Sequence, residues 1–411
     1  SRMQTSFRNI DSIFDFLLDI GMKPFVELSF MPEALASGNK TIFHYRGNVT
    51  PPRNPEEWEN LVSELARHLV SRYGRAEVRQ WFFEIWNEPN LPEFWTGSKK
   101  DYFTLYSRAA RALKETDPDL LVGGPATARN DWIIDTVEFC EKNRMPLDFI
   151  STHHYPVDAA LGHGDGMEEM MSRAGRGVLK KMTQQARRQA GNYPLFYTEW
   201  SSSSSCRDPY HDDPYAAAFI IKTILDNRGL ADLYSYWTFS DIFEELSFPS
   251  LPFHGGFGLL NIHGIPKPAY WAFRMLHETG DEEIPVFCEN TSTVELLATK
   301  EKNRLTLLLC NHQVPGQALQ EEKVDLSVRG IPFKKMKAFM ERADDGNGNA
   351  KKLWTEMGRP DYPDHKNVQE LFKASELTRK IMKFERNGEE TFFQFSIPPH
   401  GCALITLKET S

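Results

Sequence analysis

Two glutamates stand at the ends of apolar runs. Glu88 follows Phe82 to Trp86 in FFEIWNEPNLPEFW, and Glu199 closes PLFYTEW. A lone carboxylate at the mouth of a buried strand is costly to desolvate, so its placement asks for a reason. Two carboxylates facing each other across a pocket are the equipment for glycoside hydrolysis. One is kept protonated to donate to the leaving oxygen, and the other stays ionised to attack the anomeric carbon. A separation of about 5–5.5 Å between the carboxyls goes with retained configuration, and about 6.5–9.5 Å with inversion. For a single glutamate, a salt bridge at a strand end is the plainer account. For two, each at a strand end and each beside a tryptophan, the catalytic pair is the better one. Asn87 offers an amide to a sugar hydroxyl, and Trp200 and Trp237 offer flat floors for a sugar ring.

The elements that must position these residues alternate. Helical periodicity at 10–21 is followed by an apolar run ending at Phe30. Helices are then expected at about 56–73, 101–116, 131–143, 168–190 and 214–228, and after Pro268. Strands are expected at about 81–86, 120–125, 148–154, 194–200 and 232–239. The strand runs are apolar on both faces, as buried parallel strands are. This is the βα pattern of a parallel sheet covered by helices, and in a (β/α)8 barrel the C-terminal strand ends carry the active site. Beyond about residue 280 the texture changes to alternating polar and apolar segments, expected to form an antiparallel β-sandwich. The stretch 354–377 reads as a long loop with a short helix. The domains are therefore expected at 1–279, a catalytic barrel, and 280–411, an accessory sandwich.

Composition bounds the rest. Of 411 residues 40% are apolar and 26% charged, ample for a large core, and the net charge of −9 gives nothing to steer toward nucleic acid. No run approaches the roughly 20 apolar residues of a membrane span. Cys140, Cys206, Cys288, Cys310 and Cys402 are scattered without a CxxC pair, so they read as reduced thiols. No cofactor or metal is expected. His153 and His154 lack a credible third ligand; one is expected to be a buried hydrogen-bonding residue and the other, His154, to line the pocket.

WNEP followed by YTEW resembles the clan of retaining glycosidases with catalytic glutamates on barrel strands four and seven. KPFVELSFMP, GNVTPP, FFEIWNEPNLPEFW, VGGPAT, YTEWSSS, SYWTFSDIFEE, FHGGFGLLNIHGIPKPAYWAF and WTEMGRPDYP together resemble glycoside hydrolase family 39, from about residue 10 onward. The resemblance implies β-xylosidase activity on xylo-oligosaccharides. It matches Glu88 to the acid/base, Glu199 to the nucleophile and Asn87 to the amide that binds the sugar's 2-hydroxyl. It places Tyr155 against the nucleophile, Trp237 and Phe243 in an aromatic wall, and Glu244 or Glu245 on the glycone hydroxyls. Phe43 and Tyr45 lie on the long loop after the first visible strand and could reach the sugar, though for either of them packing within the loop is an equally good account. The family's α-L-iduronidase activity would need cations for a uronate. The strand-end segments STHHYP and TEWSSSSS hold none before Arg207, which favours a neutral pentose; α-L-arabinosidase is a further alternative.

The resemblance also implies an incomplete barrel. Six strands can be counted, and the family's first two strands, with a sugar-binding histidine on the first, have no counterpart. The leading Ser-Arg-Met reads as a cloning remnant ahead of a start methionine, and the chain is expected to begin late. Activity is accordingly expected to be weak or absent, with a sugar-binding pseudoenzyme as the alternative. A bacterial cytoplasmic or periplasmic location is expected, with an oligosaccharide as partner and a homo-oligomer compatible with the sequence.

Overall fold

The computed structural model describes residues 4–159, 166–242, 245, 247, 249–288 and 293–410. The chain divides into two compact units. The first comprises 1–154, 181–200 and 229–235, and the second 155–180, 201–228 and 236–411. The change of texture near residue 280 falls inside the second unit.

The first unit is built on six parallel strands: β1 (Phe25–Leu28), β2 (Phe82–Ile85), β3 (Leu121–Thr127), β4 (Phe149–His154), β5 (Leu195–Trp200) and β6 (Leu233–Tyr234). They pair in sequence order, β1-β2-β3-β4-β5-β6. The sheet is curled. Four strand spacings separate β1 from β5, about 19 Å in a flat sheet, yet the rings of Phe25 and Phe196 lie 6.2 Å apart. Phe82 and Phe149 complete this aromatic floor, with Phe82–Phe196 at 5.0 Å and Phe149–Phe196 at 4.9 Å. This is the (β/α) barrel architecture, with six strands among the described residues where a closed barrel has eight.

Helices α1 (Arg8–Asp19), α2 (Pro55–Tyr73), α3 (Lys99–Thr116) and α4 (Ile133–Asn143) belong to this unit. Asn54 caps α2, with Pro55 at its first position, and Ser98 and Asp101 form a reciprocal capping box on α3. Their apolar faces bury Trp58, Leu69, Tyr102 and Tyr106 against Val26, Phe83, Ile85 and Val122 of the strands. The helix expected over 168–190 is broken. Gly175 takes φ +83, and the chain restarts as α5 (Val178–Ala190), whose Ala186 and Ala190 pack on Ile150 and Leu195. The strand expected over 232–239 pairs only at Leu233 and Tyr234. Beyond it the backbone bonds elsewhere: Thr238 N–H donates to Phe257 O, and Leu259 N–H to Thr238 O.

Among its described residues the second unit carries α6 (Pro214–Asn227), α7 (Pro268–His277) and nine strands: β7 (Glu282–Ile284), β8 (Val294–Glu301), β9 (Arg304–Asn311), β10 (Glu322–Arg329), β11 (Met336–Ala343), β12 (Lys380–Met382), β13 (Glu385–Asn387), β14 (Glu390–Ile397) and β15 (Cys402–Glu409). They form two antiparallel sheets, β12-β11-β15-β9-β8-β7 and β10-β14-β13. Leu305, Leu307, Met340 and Ile405 of the first sheet share a core with Val324, Leu326 and Phe393 of the second, the sandwich expected from alternation. All five cysteines are free. The long loop with a short helix expected over 354–377 is there, its helix being α9 (His365–Ser375); a further helix, α8 (Ala350–Glu356), precedes the loop. Asp364 caps α9, and Trp354 and Leu371 bury against Phe253 and Ile265.

Candidate active site

The barrel interior is layered by strand alternation. Above the phenylalanine floor, two residues along each strand, stand Glu27, Glu84, Ser151 and Thr198. Glu27 pairs in register with Glu84, and Thr198 Oγ1 donates to Glu84 Oε1 at 2.8 Å. Above them, at the C-terminal strand ends, Glu88, His153 and Glu199 meet. His153 Nδ1 lies 3.0 Å from Glu88 Oε1 and 3.5 Å from Glu199 Oε2. One ligand atom from each of the three residues falls within 4.8 Å of the others.

Two one-residue irregularities make this convergence. Pro125 pairs with Ser151 and Thr127 with Thr152, leaving Ala126 unmatched at φ +51. Its carbonyl is thereby turned to accept the Glu88 N–H at 2.8 Å. Likewise Thr152 pairs with Tyr197 and His153 with Glu199, leaving Thr198 unmatched. Such bulges sit beside active sites because an added residue re-aims the side chains that follow. Trp86 and Glu88 both take left-handed backbone, φ +72 and +44, which for non-glycine residues is held only by surrounding structure. Trp86 is fully buried, donates its indole N–H to Phe94 O at 3.0 Å and packs edge-on to Trp95.

The electrostatics separate the carboxyls. Glu88 is 7% exposed, and burial pushes its carboxyl up to about 7, against the opposing pull of Arg129. Glu84, 1% exposed, rises to about 8 through burial and then through the charge of Glu27. The Glu199 side chain is 16% exposed, more open to a ligand than that of Glu88 at 9%. The 3.0 Å contact between Glu88 and His153 requires one proton between them. The Glu88–His153–Glu199 oxygen and nitrogen set has the spacing and donor types that could also hold a divalent transition ion.

Each residue singled out in the sequence has a definite place. The structure brings Glu88 and Glu199 together with His153, not His154. Neighbouring residues on a strand point to opposite faces. His154 therefore lies outside the lumen, fully buried, stacked on Tyr197 at 3.8 Å with its Nε2 2.5 Å from Tyr234 OH. Burial holds it neutral, its pKa well below the usual imidazole range. Trp200 does not form a sugar floor, because it is fully buried edge-on to Tyr234. Asn87 is half-buried beside Glu88, and among the described residues its amide has no protein partner. Phe43 packs against Phe30 and Phe94, while Tyr45 is exposed.

Tyr155, Trp237 and Glu245 belong to the second unit. Tyr155 is buried, and its N–H donates to Asp158 Oδ2 at 2.7 Å; Trp237 and Glu245 are half-buried. Phe243 and Glu244 lie outside the described residues. The segment leading to them is anchored at Asp241. This carboxylate is buried against Lys267 Nζ at 3.1 Å and accepts the Gly258 N–H at 2.7 Å. Lys267 also reaches Asp212 at 2.7 Å and Gly256 O at 2.8 Å. The inner carboxylates Glu27 and Glu84 were legible only as period-two partners of Phe25 and Phe82 within apolar strands.

A curled parallel sheet with two carboxylates converging at its C-terminal strand ends is the arrangement that glycoside hydrolysis calls for. The Glycosyl hydrolases family 39 profile matches residues 1–391. The chain is 52% identical over 407 residues to a β-xylosidase of Caldicellulosiruptor saccharolyticus, covering 98% of this chain and 83% of that one. It is 37% identical to a β-xylosidase of Geobacillus stearothermophilus, covering 95% and 78%. The crystal structure of a monomeric β-xylosidase from Caulobacter crescentus superposes with a TM-score of 0.88 at 32% identity, covering 100% of this chain and 86% of that one. The chain belongs to glycoside hydrolase family 39. Among the described residues no helix is long and apolar enough to cross a membrane.

Proposed function

We propose that the chain is a retaining exo-β-xylosidase acting on β-xylosides and xylo-oligosaccharides by double displacement. The observation that carries this reading is the approach of Glu88 and Glu199, whose oxygens lie within 4.8 Å of each other and flank one imidazole nitrogen. That closeness favours the short carboxyl spacing of retaining enzymes over the wide spacing of inverting ones, which leaves room for a water. The β-xylosidase names of its relatives support the sugar.

In the first step Glu88, protonated, donates to the glycosidic oxygen while the Glu199 carboxylate attacks the anomeric carbon. The C–O bond to the aglycone breaks and an ester to Glu199 forms. In the second step Glu88, now ionised, takes a proton from water, and the resulting hydroxyl displaces Glu199. A carboxyl raised to about 7 by burial suits the first role at mildly acid pH. It suits the second because esterification removes the negative charge of Glu199 and eases ionisation of Glu88. Asn87, half-buried beside Glu88, binds the 2-hydroxyl.

The test is hydrolysis of p-nitrophenyl β-xyloside by the 411-residue chain and its Glu199→Ala variant, with and without azide. Loss of turnover in the variant with partial recovery in azide is expected. Undiminished activity of Glu199→Ala would remove the assignment.

A further inference from the structure

We propose that Glu84 is a positioning residue for the nucleophile: through Thr198 it holds the bulge that turns Glu199 into the site. The inference rests on the proposed role of Glu199. Along β5, Leu195 and Tyr197 pack outward with Ile150 and Ala186, while Phe196 joins the aromatic floor and Thr198 reaches Glu84. Strict alternation would send Glu199 outward with Tyr197. The unmatched Thr198 lets two successive residues, Thr198 and Glu199, face the lumen.

An unmatched residue has no backbone partner opposite it to fix its orientation. At Thr198 the side chain does so, by donating to Glu84 Oε1 at 2.8 Å. Glu84 is a firm anchor. It lies on β2 two residues above Phe82, almost fully buried and in register with Glu27. Glu27 from β1, Glu88 beyond the end of β2, His153 from β4 and Glu199 from β5 all face this space. A neutral carboxyl at Glu84 accepts the Thr198 bond without adding a further negative charge beneath the nucleophile. Burial, reinforced by the charge of Glu27, keeps Glu84 in that form at mildly acid pH. An ordinary apolar residue would pack there as well, but it could not take the hydroxyl proton of Thr198.

The experiment compares Glu84→Ala, Glu84→Gln, Thr198→Val and the double Glu84→Ala/Thr198→Val variant at pH 6, each with a thermal melt to verify folding. The readouts are kcat and KM on an aryl β-xyloside, and the rate at which a 2-deoxy-2-fluoro-xyloside labels Glu199, followed by intact mass. The expected loss in kcat and labelling is on the order of 10²-fold for Glu84→Ala and Thr198→Val, the scale of a roughly 1 Å misplacement, with KM within about threefold. Glu84→Gln, which keeps an acceptor oxygen, recovers at least about tenfold of the Ala loss. The double variant is no slower than the slower single, because both remove one interaction. If Glu84→Gln is as slow as Glu84→Ala, or if Thr198→Val keeps the parental kcat, the positioning role is wrong. Glu199→Ala runs in parallel. If it is inactive and azide-rescued while Glu84→Ala and Thr198→Val are unaffected, only this inference falls. If Glu199→Ala keeps its activity, the assignment of the nucleophile falls.

Discussion

At the scale of single residues, the chemistry turns on how differently two nearby glutamates are housed. Glu88 sits deeper than Glu199 and its carboxyl is raised to about 7. Its protonated form is the one that assists departure of the aglycone. The value of kcat/KM is therefore expected to fall tenfold per pH unit above about pH 7, which a pH–rate profile reads directly. Replacing Glu88 by Ala removes that assistance and also the base of the second step. The loss should be smallest for an activated aryl leaving group, and largest, on the order of 10²–10⁴-fold, for xylobiose, which needs a proton on departure. Equal losses for both substrates would remove Glu88 from the acid role. These two positions could be found in the sequence because a carboxylate interrupts an apolar run at each. The pocket histidine is expected at 154 and found at 153, because a one-residue shift in strand register exchanges the two faces.

At the scale of elements, the parallel strands and their helices were legible from periodicity, and the irregularities that aim the side chains were not. Bulges at Ala126 and Thr198 change pairing without changing the apolar pattern, so no window of sequence betrays them. Gly175 breaks a helix that reads as continuous, and the strand at 232–239 is cut short because residues from Thr238 bond to the 257–259 segment instead. What fixes that segment is ionic. Lys267, with no exposure, lies between Asp212 and Asp241 and caps the Gly256 carbonyl. Removing one member of a buried ion group leaves uncompensated charge, typically at a cost of about 3–5 kcal/mol. Lys267→Met is accordingly expected to lower the urea midpoint of unfolding, measured by circular dichroism. An unchanged midpoint would mean that water reaches the two aspartates and that the group is not structural.

At the scale of the whole molecule, the buried carboxyls of the barrel couple stability to pH. Glu84 and Glu88 have folded pKa values of about 8 and about 7, above the ordinary value of 4.5. Between about pH 4.5 and 8 the folded chain therefore binds more protons than the unfolded chain. Stability falls as pH rises wherever that holds. The stabilisation is fully present below about pH 4.5 and is lost as pH passes through 7 and then 8. The net charge of −9, counted with histidines neutral, adds self-repulsion in the same direction. Thermal melts are thus expected to shift downward from pH 5.5 to pH 8.5, and Glu84→Gln, which cannot ionise, should flatten the shift. With two compact units the melt need not be a single transition, so the comparison belongs to the transition that tracks the barrel. Buried tryptophans lie in both units, Trp81, Trp86 and Trp200 in the first and Trp271 and Trp354 in the second, so the barrel's transition is the one that Glu84→Gln shifts. A midpoint that rises toward alkaline pH, or a variant with the parental slope, would mean that the lumen carboxyls are already ionised and solvated in the folded chain.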